Sequence, residues 1–164
     1  MIQRSVPGYS TIVSSIGKLA KQFQQETSNI YDLGCSLAAA TIAMRKFVDA
    51  PNCQLIGVDN SEAMVERCRL HINAFKSSVP AEILCADIND IDIENASVVV
   101  MNFTLQFIPQ EQRLDLLKRI YAGLKPGGIF ILSEKFIFDD VKINDSENFW
   151  TYFEMLYFIL NYKY

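Results

Sequence analysis

Five short apolar runs alternate with segments of helical period along this chain, and each run gives way to polar or small residues. The runs are Asn29–Cys35, Gln54–Asp59, Ala81–Asp87, Ser97–Phe103 and Gly128–Phe136. Strands this continuously apolar, separated by helices, predict a mostly parallel sheet with helices on both faces and right-handed crossovers. The helical segments are Ser10–Glu26, with Ser10 or Thr11 as cap, Leu37–Val48, Ser61–Phe75, and a last one from Pro109 to Leu124. Pro109 suits a first helical turn, where its missing N–H would have no partner anyway. Lys125-Pro126-Gly127-Gly128 stops that helix. No repeat, low-complexity tract or linker interrupts the pattern. The expected fold is Rossmann-like α/β.

Composition narrows the function. With 164 residues, half of them apolar and 21% charged, the chain can bury a core without staples. Cys35, Cys53, Cys68 and Cys85 stand apart, with no CxxC, and His71 is the single histidine, so no metal site is expected. No secretory leader precedes the first element, so reduced thiols and a cytoplasmic location are expected. The net charge is −4 and the fifteen Lys and Arg are scattered. Direct nucleic-acid binding is not expected.

In open parallel sheets, ligands bind beyond the carboxyl ends of the strands, where the strand order reverses. Four strand ends here carry chemistry. The first reads Asp32-Leu33-Gly34-Cys35-Ser36, and Gly34 allows both a turn and a close approach by a ligand. The helix that follows offers free N–H groups. The second ends in Asp59-Asn60, and a carboxylate there can accept two hydrogen bonds from a ribose diol. Gly34 and Asp59 lie 25 positions apart, close to the spacing of a nucleoside site. Asp87-Ile88 ends the third strand, placed to read an adenine edge, and Asn102 ends the fourth, beside the expected reaction centre. Singly, each has a plainer reading, since strand-end aspartates often cap helices and a lone glycine is often a turn. Four in consecutive order are harder to produce by accident.

A dinucleotide site needs GxGxxG, and Gly34-Cys35-Ser36-Leu37-Ala38-Ala39 keeps only the first glycine. Asp32 beside that turn would repel a pyrophosphate but attract an ammonium group. S-Adenosyl-L-methionine carries an ammonium, a ribose and an adenine without phosphate, and it fits better than NAD.

The stretches MIQRSVPGYS, YDLGCS followed by AAT, IGVDNS with MVERCR, ASVVVMNFTLQF and LSEKF closely resemble the carboxy-S-adenosylmethionine synthase family, a branch of the class I methyltransferase fold. The resemblance covers residues 1–144, read as the S-adenosylmethionine-binding domain. It implies a transferase that carboxylates the methyl group of S-adenosylmethionine with prephenate as the carboxyl source, releasing phenylpyruvate and water. The mechanism proposed for the family runs through a sulfonium ylide. The product would feed modification of a tRNA wobble uridine. The cofactor would be S-adenosylmethionine or its carboxylated form, without metal. The family's ligand residues fall on Tyr9, Gly34, Cys35, Ser36, Asp59, Asn60, Asp87, Ile88 and Asn102. Tyr9 comes from the resemblance alone, as a cover for the pocket or as a staple of the first helix. No residue is assigned as catalytic. Two further readings stand beside this one: a small-molecule methyltransferase, and a non-catalytic cofactor-binding relic.

The chain departs from the family in two places. Ala38 stands where the family has glycine; alanine is the better helix former, and any crowding of the strand or the ligand by its methyl group is expected to be tolerable. Five strands are identifiable where the class I fold has seven, and the family's arginine for the added carboxylate has no match. Arg4 and Lys135 are the other candidate donors. Residues 145–164 form a divergent aromatic-rich segment, apolar from Phe149 to Leu160 except for Thr151 and Glu154. It is expected to be helical and packed on the domain. A contact between two copies is weighed next, and a homodimer is expected. The run is too short to span a bilayer, and no membrane association is expected. His71 is read as a solvated residue, Cys35 as a small residue presenting its backbone, and Glu134 with Lys135 as an ion pair.

Overall fold

The computed structural model describes Val6, residues 8–135 and residues 153–159. Its elements run α1 (Tyr9–Phe23), β1 (Asn29–Leu33), α2 (Ala39–Phe47), β2 (Gln54–Asp59), α3 (Glu62–Ala74), β3 (Ala81–Cys85), β4 (Ala96–Asn102), α4 (Gln110–Gly123), β5 (Leu124–Lys135) and β6 (Phe153–Ile159). Short 3-10 turns at Ile88–Asp90 and Leu105–Phe107 flank β4. The strands form one sheet in the order β3-β2-β1-β4-β5-β6. β1 to β5 are parallel, and β6 runs antiparallel to β5. This is the Rossmann-like arrangement of the class I methyltransferase fold.

The central strands β1 and β4 are apolar almost throughout because both of their faces are covered, whereas β3 buries fully only Ile83. One layer packs Ile30, Leu55, Val98, Val100, Ile129 and Ile131 against Ile16 and Ala20 of α1 and Met44 of α2. The other packs Leu33, Val99, Met101 and Phe130 against Leu116 and Ile120 of α4. These side chains are essentially inaccessible to water, each one larger than alanine worth about 1.5–3 kcal/mol in burial.

Three expectations are corrected. Phe153–Ile159, expected to be helical, is a strand, whose backbone pairs with Ile129–Lys135. The sheet therefore has a sixth strand, and the remainder of 145–164 lies outside the described residues. Lys125–Gly128 does more than end α4. β5 begins at Leu124, paired with Ala96, and pairing then skips to Val98 with Ile129. The Lys-Pro-Gly-Gly stretch is thus a bulge inside the strand, with Gly127 at φ 77°. Finally, α1 is capped by neither Ser10 nor Thr11. It starts after Gly8, which sits at φ 71° without a side-chain cap.

Candidate functional site

The strand order reverses between β1 and β4, so a crevice forms where their carboxyl ends diverge. Asp32 and Gly34 come from β1 and its turn, and Asn102, Phe103 and Thr104 come from β4 and its turn. Gly34 has φ 82°, and a Cβ there would lie 2.4 Å from both Cγ2 and Oγ1 of Thr104. Glycine is required on two counts, backbone conformation and the close approach of the neighbouring turn. The amides of Gly34 and Cys35 both donate to the Val58 carbonyl, at 2.8 and 2.9 Å, which ties the turn to β2.

Asp32 is 2% exposed and accepts a 2.5 Å hydrogen bond from the Thr41 hydroxyl on α2. Burial pushes its carboxyl up to about 6, and the nearby Asp59 carboxylate adds to the rise. Asp59 ends β2 and accepts from the amides of Ser36 at 3.0 Å and Ser61 at 2.9 Å. One carboxylate thereby bridges the loops following β1 and β2. Asn60 beside it is exposed. Asp87 accepts from the Asn89 amide at 2.8 Å and so caps the 3-10 turn after β3. Ile88 buries its side chain in the α4-side core. Arg119 of α4 donates to the carbonyls of Ile88, at 2.6 Å, and Asn89. A cavity of about 430 Å³ opens beside Asp87, bordered by Asn89, Gln112 and Arg119.

Tyr9, the first residue of α1, lies over the end of β4. Its ring stacks on Phe103 with centroids 6.3 Å apart, and its hydroxyl is hydrogen-bonded with the Asn102 side chain. Burial raises its pKa, and the Asp32 charge raises it further. Among the described residues, the oxygen Asn102 Oδ1 is buried without a partner, as is Ser133 Oγ on the adjacent strand. Such orphaned acceptors, with a carboxylate nearby, suit the ammonium, sulfonium and hydroxyl groups of S-adenosylmethionine.

The structure thus gathers Tyr9, Asp32, Gly34, Ser36, Asp59 and Asn102, with Asp87 and Ile88 one strand further out. Cys35 is 4% exposed, and its sulfur lies 3.8 Å from that of Cys68. The hydrogen bond with Cys68, together with burial, pushes the Cys35 thiol up, and its backbone is engaged as well, the amide with Val58 and the carbonyl with the Ala38 amide at 2.8 Å. All four cysteines are free. Ala38 is accommodated, as expected. Its methyl packs among Val65, Cys68 and Ile72, and the departure from glycine is felt instead as a backbone at φ 68°. His71 is exposed, with its ring nitrogen 3.0 Å from the Leu37 carbonyl. Glu134 accepts from the Gln106 amide at 3.3 Å, while Arg4 and the Lys135 side chain lie outside the described residues. Thr41, Phe103, Thr104, Arg119 and Ser133 were not singled out from sequence. Thr41 lies within the AAT stretch, Phe103 and Thr104 within NFTLQF and Ser133 within LSEKF, which was the one available signal. Among the described residues there is no cluster of metal-ligating side chains and no helix long and apolar enough to cross a membrane.

A family model described as a methyltransferase domain matches residues 30–128. The chain is 63% identical over 145 residues to carboxy-S-adenosyl-L-methionine synthase of Vibrio campbellii, covering 88% of this chain and 59% of that protein. The enzyme of the same name in Aliivibrio fischeri is also 63% identical, over 88% of this chain and 60% of its own length. The chain therefore spans about three-fifths of the curated relatives it matches. Among solved structures, the plantazolicin methyltransferase BpumL in complex with SAH superposes with a TM-score of 0.62 at 18% identity, over 80% of this chain and 49% of that one. The CcbJ methyltransferase of Streptomyces caelestis gives 0.64 at 18% identity, over 74% and 51%. At that identity the likeness is one of fold.

Proposed function

Because the chain belongs to the methyltransferase-domain family, whose model matches residues 30–128, we propose that it carboxylates S-adenosylmethionine with prephenate as the carboxyl donor, yielding carboxy-S-adenosylmethionine, phenylpyruvate and water. The observation that carries this reading is 63% identity over 88% of the chain to proteins bearing that name. S-Adenosylmethionine supplies the sulfonium methyl group that receives the carboxyl. Gly34, Cys35 and Ser36 line its path with backbone. Asp59, already aligned by two amides, accepts from the ribose hydroxyls. Asp87 and the Ile88 backbone read the adenine, held in place by Arg119. Asp32 sets a negative potential for the ammonium, and Asn102 stands at the reaction centre. Tyr9, stacked on Phe103, covers the crevice and keeps water from it.

The product would serve tRNA wobble-uridine modification. Free thiols at all four cysteines suit a reducing, cytoplasmic setting. A homodimer rests on the aromatic run within 149–160, and sedimentation tests it. Incubating the full chain with S-adenosylmethionine and prephenate, then analysing small molecules by mass spectrometry, tests the reaction. The carboxylated cofactor and phenylpyruvate are expected in equal amounts. Cofactor bound but recovered unchanged would favour a binding role, and demethylated cofactor with an added acceptor would favour methyl transfer.

A further inference from the structure

Asn102 and Ser133 are register partners on parallel strands, and the Phe103 amide donates to the Ser133 carbonyl at 2.8 Å. Both side chains stand on the face of Val98, Val100, Ile129 and Ile131, the face covered by α1. That apolar layer ends at this level, just below Tyr9. Ser133 is 1% exposed, yet among the described residues its hydroxyl has no partner, and neither has the oxygen of Asn102 beside it. Alanine or valine at 133 would continue the layer of Ile129 and Ile131 with no polar orphan. A buried hydroxyl left unpaired works against folding. A ligand group that pairs with it would explain the serine.

The charge at this end narrows what that group is. Among the described residues, the charged groups acting on Tyr9 and Asp32 are carboxylates, Asp32 on the first and Asp59 on the second. An anionic group would meet repulsion here, and a cation would be attracted. The Asn102 oxygen can only accept, and the Ser133 oxygen has lone pairs to offer. We propose that Ser133, together with Asn102, is a binding residue for a cationic group of S-adenosylmethionine, its ammonium or its sulfonium centre. The assignment rests on the proposed binding of S-adenosylmethionine and adds Ser133 to the residues that hold it.

The test compares the full-length chain with its Ser133→Ala and Ser133→Cys variants in calorimetric titrations with three probes. S-Adenosylmethionine carries both cations, S-adenosylhomocysteine carries the ammonium alone, and 5′-methylthioadenosine carries neither. Thermal unfolding without ligand is recorded alongside. Both variants are expected to unfold no earlier than the parent chain, because the hydroxyl they lose is unpaired in the free protein. Both should bind S-adenosylmethionine about ten-fold more weakly, the size of one hydrogen bond to a charged group, and bind methylthioadenosine as the parent does. If S-adenosylhomocysteine weakens equally, the partner lies at the amino-acid end, where the ammonium is the cation. If it does not, the sulfonium is the partner. Unchanged affinity for all three probes, or an equal loss for all three, overturns the assignment and leaves Ser133 a structural residue. Failure of the parent chain to bind S-adenosylmethionine would overturn the underlying proposal and this one with it.

Discussion

Asp32 is 2% exposed, and its carboxyl sits at about 6 against an ordinary 3.8 because burial disfavours its charge more than the Thr41 hydrogen bonds favour it. A pKa raised on folding means that the folded state holds the proton more tightly than the unfolded chain. Stability from this group is therefore fully present below about pH 4 and lost as pH rises through about 6. A shift of some two units corresponds to about 3 kcal/mol. Asp32→Asn is neutral at every pH, so it is expected to raise the urea midpoint at pH 7.5 and to flatten the decline between pH 4 and 6. Urea unfolding at a series of pH values checks both. The same variant should bind S-adenosylmethionine more weakly, having lost the counter-charge for the ammonium. That opposition between stability and binding is what a functional buried acid looks like. Asp59 is different, because it is partly exposed and already serves the amides of Ser36 and Ser61. Asp59→Ala is expected to weaken nucleoside binding by about 1.5–3 kcal/mol, the range for hydrogen bonds to a charged group. Calorimetry giving unchanged affinity in the folded variant would remove ribose recognition from this carboxylate.

Arg45 shows how the elements behind the site are held. From α2 it donates to Ile72 and Phe75 at the end of α3 and to Val79 before β3, with distances of 3.0–3.3 Å. Arg45→Met leaves three carbonyls without this donor and is expected to cost about 3 kcal/mol in thermal or urea unfolding. Cofactor affinity of the molecules that remain folded should stay within about two-fold, since no strand end is touched. Gly34→Ala should act the other way, at the turn itself. The clash with Thr104 and the strain at φ 82° together are expected to lower stability by roughly 1–3 kcal/mol, and adding Thr104→Ala should recover only part of it. The strands and helices around these residues were legible in the sequence because the strands are mostly apolar and each helix carries one apolar face. β6 was not. Phe153–Ile159 is apolar at nearly every position, so it has neither a two-residue nor a 3.6-residue period, and pairing with β5 decides its state. The site divides along the same line. Asp32, Asp59, Asp87 and Asn102 were legible as polar residues interrupting apolar runs. Thr104 and Ser133 matter through neighbours across the sheet, Gly34 and Asn102, and apart from lying in the NFTLQF and LSEKF stretches nothing in their local pattern announces them.

The sheet order places the ends of β1 and β4 side by side in a molecule of net charge −4, with two carboxylates, Asp32 and Asp59, near the crevice. A field of that sign favours a cationic ligand and disfavours an added anion. S-Adenosylmethionine and its carboxylated form differ by such an anion. A carboxylate entering a partly buried site loses hydration, and only a cation or several donors would offset that loss. The residues proposed to meet the adenine, ribose and ammonium include no matched arginine for the carboxylate. The 164-residue chain is therefore expected to bind S-adenosylmethionine at least as tightly as carboxy-S-adenosylmethionine. Competitive titration of the two ligands measures the ratio, with sedimentation fixing the number of chains in the same buffer. Raising the salt should narrow any preference, because exposed parts of the field are screened within about 8–10 Å. A strong preference for the carboxylated form in a verified monomer would contradict this expectation and bring Arg4 or Lys135 into the site. The same preference in a dimer alone would assign the missing cation to the second copy.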